Sequence, residues 1–115
     1  MKKVIALFAI VLLPGFVFAK SNGPDCHSWP MNMTEGWMKN SGIVDIADLD
    51  EAKTKYSLLA SEKKGKDLYT QVYHFTFYDK SGHSYEVITT SDASNEECSM
   101  GSVNSYLVSK HDINY

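Results

Sequence analysis

The sequence of 115 residues predicts an α+β fold, an antiparallel β-meander of about four strands with a short N-terminal helix packed on one side and one disulfide bond. Three observations predict it. A capping-box pattern marks a short helix, two similar turn sequences bracket a run of alternating aromatic and β-branched residues, and two cysteines stand far apart in the chain. With 43% hydrophobic and 22% charged residues, the composition is that of an ordinary globular chain.

Residues 1–19 are typical of a secretory signal peptide and are not expected to belong to the fold. Two lysines precede the apolar run Val4–Leu13, and small residues at the end of the stretch predict cleavage after Ala19. A transmembrane helix needs about 20 apolar residues, and this stretch is shorter and contains a Pro-Gly pair. The mature chain, residues 20–115, is therefore expected to form a single small domain in the periplasm or outside the cell, without a membrane anchor.

Cys26 and Cys98 are the two cysteines of the chain, and the signal peptide would deliver both to an oxidising compartment. An even number of cysteines in such a compartment predicts a disulfide. The bond would close a long loop and contribute about 4 kcal/mol to stability, which favours a structural role over a catalytic thiol.

The first predicted element of the mature chain is a short helix beginning at Asn32. Asn32 and Glu35 have the spacing of a capping box, and Met33 and Trp37 are four residues apart on one helical face. Gly42 then provides a stop signal.

The segment Asp48–Leu59 is ambiguous between helix and strand. Asp48 and Glu51 repeat the capping-box spacing, whereas Tyr56 and Leu58 begin an alternating pattern. The turn sequences downstream favour a strand for the second half of the segment.

Two turn sequences, Lys63–Lys66 and Asp79–Gly82, each place a glycine where a type I turn with a bulge requires a positive φ. Between them, Leu68–Tyr78 is the clearest strand, with Tyr73 and Phe75 on one face together with Phe77. Two further strands and a polar loop complete the predicted chain: His83–Thr90, Val103–Lys110 and the loop Ser91–Ser102.

Charge and composition exclude several classes of function. The chain contains 11 lysines and no arginine, so it lacks the guanidinium groups that commonly read nucleic-acid bases, and we expect no nucleic-acid partner. Without Lys2 and Lys3 of the signal peptide, nine lysines face 14 acidic residues, a formal charge of −5. No motif of a nucleophilic or metal-dependent hydrolase frames the Ser, His, Asp and Glu residues, so the chain is not expected to be an enzyme or to carry a cofactor.

The leading hypothesis is an exported, non-enzymatic binding protein, an inhibitor or immunity protein that neutralises a toxin or cell-wall hydrolase. A negative charge favours encounter with a basic partner, and tyrosines are enriched at protein interfaces. The residues expected to contact the partner are acidic or aromatic: Tyr78, Tyr85, Asp92, Glu96 and Glu97.

The alternative is a soft-metal site near the mature N-terminus. Imidazole and thioether groups suit Cu(I), and His27, Met31 and Met33 could supply them, with Trp29 beside the ion. The set resembles the His, Met and Trp ligand inventory of small periplasmic copper chaperones, although its order and spacing differ from theirs. The resemblance implies a copper-binding protein.

Overall fold

The computed structural model describes residues 23–111 and confirms the predicted fold class. Within this range the four strands form one antiparallel sheet in sequence order. The elements are helix α1 (Ser28–Asn40), two 3₁₀ turns (Ile46–Asp48 and Glu51–Lys53), β1 (Lys55–Gly65), β2 (Leu68–Tyr78), β3 (Ser84–Ala93) and β4 (Met100–His111). The predicted signal peptide, residues 1–19, lies outside the described residues.

Helix α1 begins four residues earlier than predicted, at Ser28. Its first turn contains Pro30, whose missing N–H is tolerated there because the first amides of a helix have no intrahelical acceptor. Asn32 lies inside the helix, so its predicted role as the N-cap is wrong.

The predicted end of α1 is confirmed. Gly42 has a φ of +75°, a conformation that glycine adopts without a steric penalty. Its N–H donates to the Lys39 carbonyl at 3.1 Å, and the N–H of Ile43 donates to the Met38 carbonyl at 2.8 Å. This pair of bonds closes the last turn of the helix.

The ambiguous segment Asp48–Leu59 contains a 3₁₀ turn followed by the start of β1. Tertiary hydrogen bonds explain why no longer helix forms here. The N–H of Asp50 donates to the Tyr78 carbonyl at 2.8 Å, and the Asp48 carbonyl accepts the N–H of Lys80 at 2.8 Å. These backbone groups are therefore tied to the β2–β3 turn instead of to one another.

The two hairpins turn differently. Gly82 has the predicted positive φ, +98°, whereas Gly65 lies in β1, opposite Leu68, and its φ is not positive. The first hairpin instead turns at Lys66–Asp67, and a register irregularity between Lys63 and Gly65 absorbs the extra residue. The prediction of two equivalent turns is thus correct only for the second.

Strands β3 and β4 are longer than predicted, because β3 continues to Ala93 and β4 already begins at Met100. The connecting loop shrinks from the predicted 91–102 to 94–99.

The core lies between α1 and one face of the sheet. The predicted alternation of β2 is confirmed, since Tyr73, Phe75 and Phe77 are almost fully buried on that face. They pack with residues from the helix, the 3₁₀ segment and β3: Met38, Leu49, Tyr85 and Val87. We call this the helix face of the sheet and the other side the open face.

Helix α1 lies over β3 and β4 and touches the 3₁₀ segment. Tyr56 and Leu58 of β1 pair with Phe75 and Tyr73 and so belong to the helix face, yet they remain 44% and 42% exposed. The β1 side of the helix face is thus left partly open.

The predicted disulfide between Cys26 and Cys98 is present, with the two Cα atoms 5.2 Å apart. It joins the segment before α1 to the loop between β3 and β4. Among the described residues, no helix has the length and hydrophobicity needed to cross a membrane.

Candidate functional site

The residues predicted to contact a partner lie at opposite ends of the sheet. Tyr78 pairs with Ser84 next to the β2–β3 turn, whereas Asp92 pairs with Thr70 eight residues away along β2. At a rise of about 3.4 Å per residue, the two positions are roughly 27 Å apart. They cannot belong to one compact contact patch.

Tyr85 does not lie on the surface. It is 4% exposed on the helix face, and its hydroxyl donates to Asp79 Oδ2 at 3.0 Å. Its assignment to the partner-binding surface is therefore wrong, because the odd-numbered positions of β3 face the helix. Tyr78 is half-buried on the open face, and Lys55 Nζ lies 5.9 Å from its ring centroid.

Glu96 and Glu97 are exposed in the short loop between β3 and β4. The Ser94 hydroxyl oxygen accepts their backbone N–H groups at 3.2 and 2.9 Å, and the Ser94 N–H donates to the Glu97 carbonyl at 2.9 Å. Asp67 accepts two more hydrogen bonds, from the backbone and the side-chain amide of Asn95, at 3.0 and 2.9 Å. The loop is thus tied at its start and closed by the disulfide at its end.

Asp92 lies on the open face beside an open cavity of about 410 Å³. The cavity forms where the pairing of β3 with β4 slips, between Thr90 and Asp92. The Asp92 carboxylate accepts the Thr70 hydroxyl at 2.8 Å. Other lining residues are mostly small and polar: Thr90, Ser91, Met100, Gly101, Ser102 and Asn104.

A fourth carboxylate, Asp25, lies directly before Cys26. The segment that carries it is held on the helix face, where Gln71 Nε2 donates to the Pro24 carbonyl at 2.8 Å and the Cys26 N–H donates to the Tyr73 hydroxyl at 3.0 Å. Hydrogen bonding from His27 lowers the pKa of Asp25 below its usual value, so this carboxylate is ionised at neutral pH.

The carboxylates of Asp25, Asp92, Glu96 and Glu97, together with the Cys26–Cys98 bond, define what we call the disulfide end of the molecule. Asp25 and Glu97 each precede one half of the bond, so the covalent link brings them to the same region. In the described part of the chain, none of the four carboxylates forms an ion pair with a lysine.

Basic groups lie close by without neutralising these carboxylates. Lys63, Lys64 and Lys66 are exposed on the neighbouring β1–β2 hairpin. A positively charged partner that approaches the disulfide end must therefore avoid this hairpin, which restricts its orientation.

The residues of the metal hypothesis do not converge. The His27 ring bonds to Asp25 through Nδ1 at 2.8 Å and stacks on Tyr56. Met31 packs against the core, whereas Met33 is 42% exposed. Two helical residues that are two positions apart do not face each other, so Met31, Met33 and His27 do not form one ligand set in this structure.

Two histidine–carboxylate pairs lie elsewhere. His83 Nδ1 bonds to Asp79 Oδ2 at 2.8 Å in the β2–β3 turn, and His74 Nε2 lies 3.1 Å from Glu86 Oε1 on the open face. Among residues 23–111, no three His, Cys, Asp or Glu side chains are grouped so that they could hold a metal ion.

Sequence reasoning missed one buried acid, Glu35 of α1. Its side chain is 6% exposed, and burial, with a hydrogen bond to Glu51 and the charge of Glu51, raises its pKa to about 7. The sequence carries a signal for its burial, because Glu35 is four residues after Met31 and three before Met38, both of which face the core.

Sequence reasoning also assigned no role to Asp25 and Tyr56, which the fold brings together across 31 residues. No local pattern links them. Comparisons of the chain with protein families, with curated proteins and with solved structures find no match.

Proposed function

We propose that this protein is an exported, non-enzymatic binding protein that neutralises a basic protein partner, such as a toxin or a cell-wall hydrolase, through its disulfide end. The observation that supports this proposal is the group of carboxylates of Asp25, Asp92, Glu96 and Glu97. They have no lysine ion partner within residues 23–111 and are held in place by a covalent bond.

The loop that carries Glu96 and Glu97 suits recognition because it is ordered before a partner arrives. Binding through a flexible loop would cost conformational entropy, which the disulfide and the hydrogen bonds of Ser94 have already removed. Exposed carboxylates also attract a basic partner over several ångströms and increase the association rate.

The disulfide supports export of the protein, since such bonds persist in oxidising compartments and are rare in the cytosol. Together with the signal peptide expected over residues 1–19, it favours the periplasm, or the exterior, as the place of action. A basic toxin or hydrolase would be met there.

The test is affinity capture from envelope and culture extracts with the oxidised mature protein, followed by an activity assay of the recovered protein. We expect a basic toxin or peptidoglycan hydrolase whose activity falls when the binding protein is added. Recovery of partners without any loss of their activity would contradict neutralisation.

The surface is tested with Glu96→Gln/Glu97→Gln against a matched control, Asp48→Asn/Asp50→Asn, which removes the same charge at the other end of the sheet. The first variant should bind the partner about fivefold to tenfold more weakly at low salt, with a smaller loss at high salt. Equal losses in the two variants would show that only net charge matters and would overturn the assignment to the disulfide end.

A further inference from the structure

An open pocket of about 240 Å³ lies beside Asp25 on the helix face. Its walls combine apolar and aromatic groups with one carboxylate: Gly23, Pro24, Asp25, Tyr56, Leu58 and Tyr73. A concave, mostly apolar site with one well-placed polar group is the usual form of a ligand-binding pocket.

The apolar walls are exposed for a structural reason. Helix α1 covers β3 and β4, so Tyr56 and Leu58 on β1 face the helix side of the sheet without a covering element. Tyr73, the third wall residue on the sheet, is almost fully buried and supports the pocket from below.

The carboxylate of Asp25 is held at the edge of this pocket by two donors. Its Oδ1 atom lies 2.8 Å from His27 Nδ1, and its Oδ2 atom accepts the Tyr56 hydroxyl at 3.2 Å. The His27 and Tyr56 rings stack with centroids 3.7 Å apart, which fixes both donors. Asp25 nevertheless remains open to a ligand, since its side chain is 62% exposed.

We propose that this pocket binds a primary ammonium group on an apolar stem, namely a lysine side chain of the protein partner. The methylene groups would pack against Tyr56 and Leu58, and the ammonium would bond to Asp25. The choice of a lysine from a protein rests on the proposed function, whereas the ammonium site itself does not.

Lysine suits this pocket better than arginine. Each oxygen of Asp25 already takes one hydrogen bond, so the two parallel bonds of a guanidinium fork would have to compete with His27 and Tyr56. An ammonium acts as a point charge and needs only one free lone pair of the carboxylate.

The test is a titration of the oxidised mature protein with Nα-acetyl-lysine methylamide, followed by backbone amide NMR. We expect saturable shifts at Asp25, Tyr56 and Leu58. The norleucine analogue, which has the same apolar stem without the charge, should bind about fivefold more weakly, and the arginine analogue should also bind more weakly than lysine.

Asp25→Asn should weaken binding of the lysine probe about fivefold, whereas the matched control Glu96→Gln, an exposed carboxylate of the same end outside the pocket, should leave it unchanged. Leu58→Ser, which leaves Asp25 and its two donors in place, should weaken binding of both the lysine and the norleucine probes.

Equal binding of lysine and norleucine, equal binding by wild type and Asp25→Asn, or no saturable shift would each overturn the ammonium site. None of these results bears on capture of a partner through Glu96 and Glu97, which the charge variants of that loop test separately. Conversely, loss of the lysine site in Asp25→Asn with no partner recovered would sustain the pocket and count against the proposed function.

Discussion

The two ends of the sheet use carboxylates in opposite ways. At the end formed by the Asp79–His83 turn and the segment Asp45–Lys53, which we call the turn end, the Asp79 side chain is buried and surrounded by donors. At the disulfide end, Asp25 and the Glu96–Glu97 pair remain exposed to solvent. The same chemical group therefore stabilises the fold at one end and is left available for a partner at the other.

The turn end shows what a saturated carboxylate looks like. Asp79 Oδ1 accepts the backbone N–H groups of Ser81 and His83, each at 2.9 Å, and Oδ2 accepts the Tyr85 hydroxyl and lies 2.8 Å from His83 Nδ1. Burial opposes ionisation of Asp79, but these hydrogen bonds outweigh it and hold its pKa below the usual value.

The comparison teaches that hydrogen-bond saturation, more than charge, separates the two ends. Asp79 has no capacity left for a partner, whereas no side-chain hydrogen bond to Glu96 is found within the described chain. Four experiments break or sharpen this contrast, beginning with the largest expected effect.

Removal of the disulfide should destabilise the protein most. Replacing both Cys26 and Cys98 by Ala should lower the free energy of unfolding by about 4 kcal/mol, because the bond closes a long loop in the unfolded chain. Urea unfolding measures this loss. Hydrogen exchange should show that amides of the loop at residues 94–99 lose protection before those of the Asp79–His83 turn; equal loss at both ends would contradict their independence.

Asp79→Asn should cost about 2 kcal/mol, because several hydrogen bonds to a buried charge are weakened. The matched control is Asp67→Asn in the other hairpin, whose carboxylate receives two bonds from Asn95, and should cost less than about 1 kcal/mol. Equal costs would mean that burial adds nothing.

The pH dependence of the same variant follows from the lowered pKa of Asp79. Its contribution is present above the unfolded value, about 3.8, and is lost as the pH falls through the lower folded value. Wild-type stability should therefore fall on acidification more steeply than that of Asp79→Asn, as measured by urea midpoints between about pH 5 and 2.

Glu35 should produce the opposite pH dependence. Its folded pKa of about 7 is higher than the model value of 4.5, so its contribution is present below the unfolded value and is lost as the pH rises through about 7. Glu35→Gln should therefore be more stable than wild type at pH 8, by roughly 2 kcal/mol, with a smaller difference at pH 5. Urea midpoints at both pH values measure this, and a midpoint difference that does not change with pH would contradict it.

The smallest effect on stability is expected at the disulfide end. Glu96→Gln/Glu97→Gln should change the free energy of unfolding by less than about 0.5 kcal/mol, because both side chains are exposed. The same variant should weaken partner binding, as proposed above. A large loss of stability would show that these carboxylates serve the fold, as Asp79 does.

Much of the fold could be predicted because local signals agree with the tertiary structure. The alternation of Leu68–Tyr78 identified both a strand and its buried face, and Gly42 marked the end of α1. Predictions failed where one local signal had a competitor. Asn32 offered a capping pattern, but Pro30 allowed the helix to begin earlier.

The candidate site was predictable only in part. Asp92, Glu96 and Glu97 stand in a polar stretch near Cys98, and the structure places them at one end of the sheet. Tyr85 looked equivalent to Tyr78 in sequence, yet the two strands present them to opposite faces. A one-residue difference in register decides such a question, and side-chain type does not reveal it.

By itself, the sequence determined the fold class, the disulfide pairing and the acidic charge, because each depends on residue types or on short-range patterns. Only the tertiary structure decided that Asp25 and Tyr56 meet across 31 residues and that Asp79 is saturated while Glu96 is not. These facts depend on where the helix lies over the sheet and on which groups become buried. Such burial is a collective property of packed elements, and no local segment encodes it.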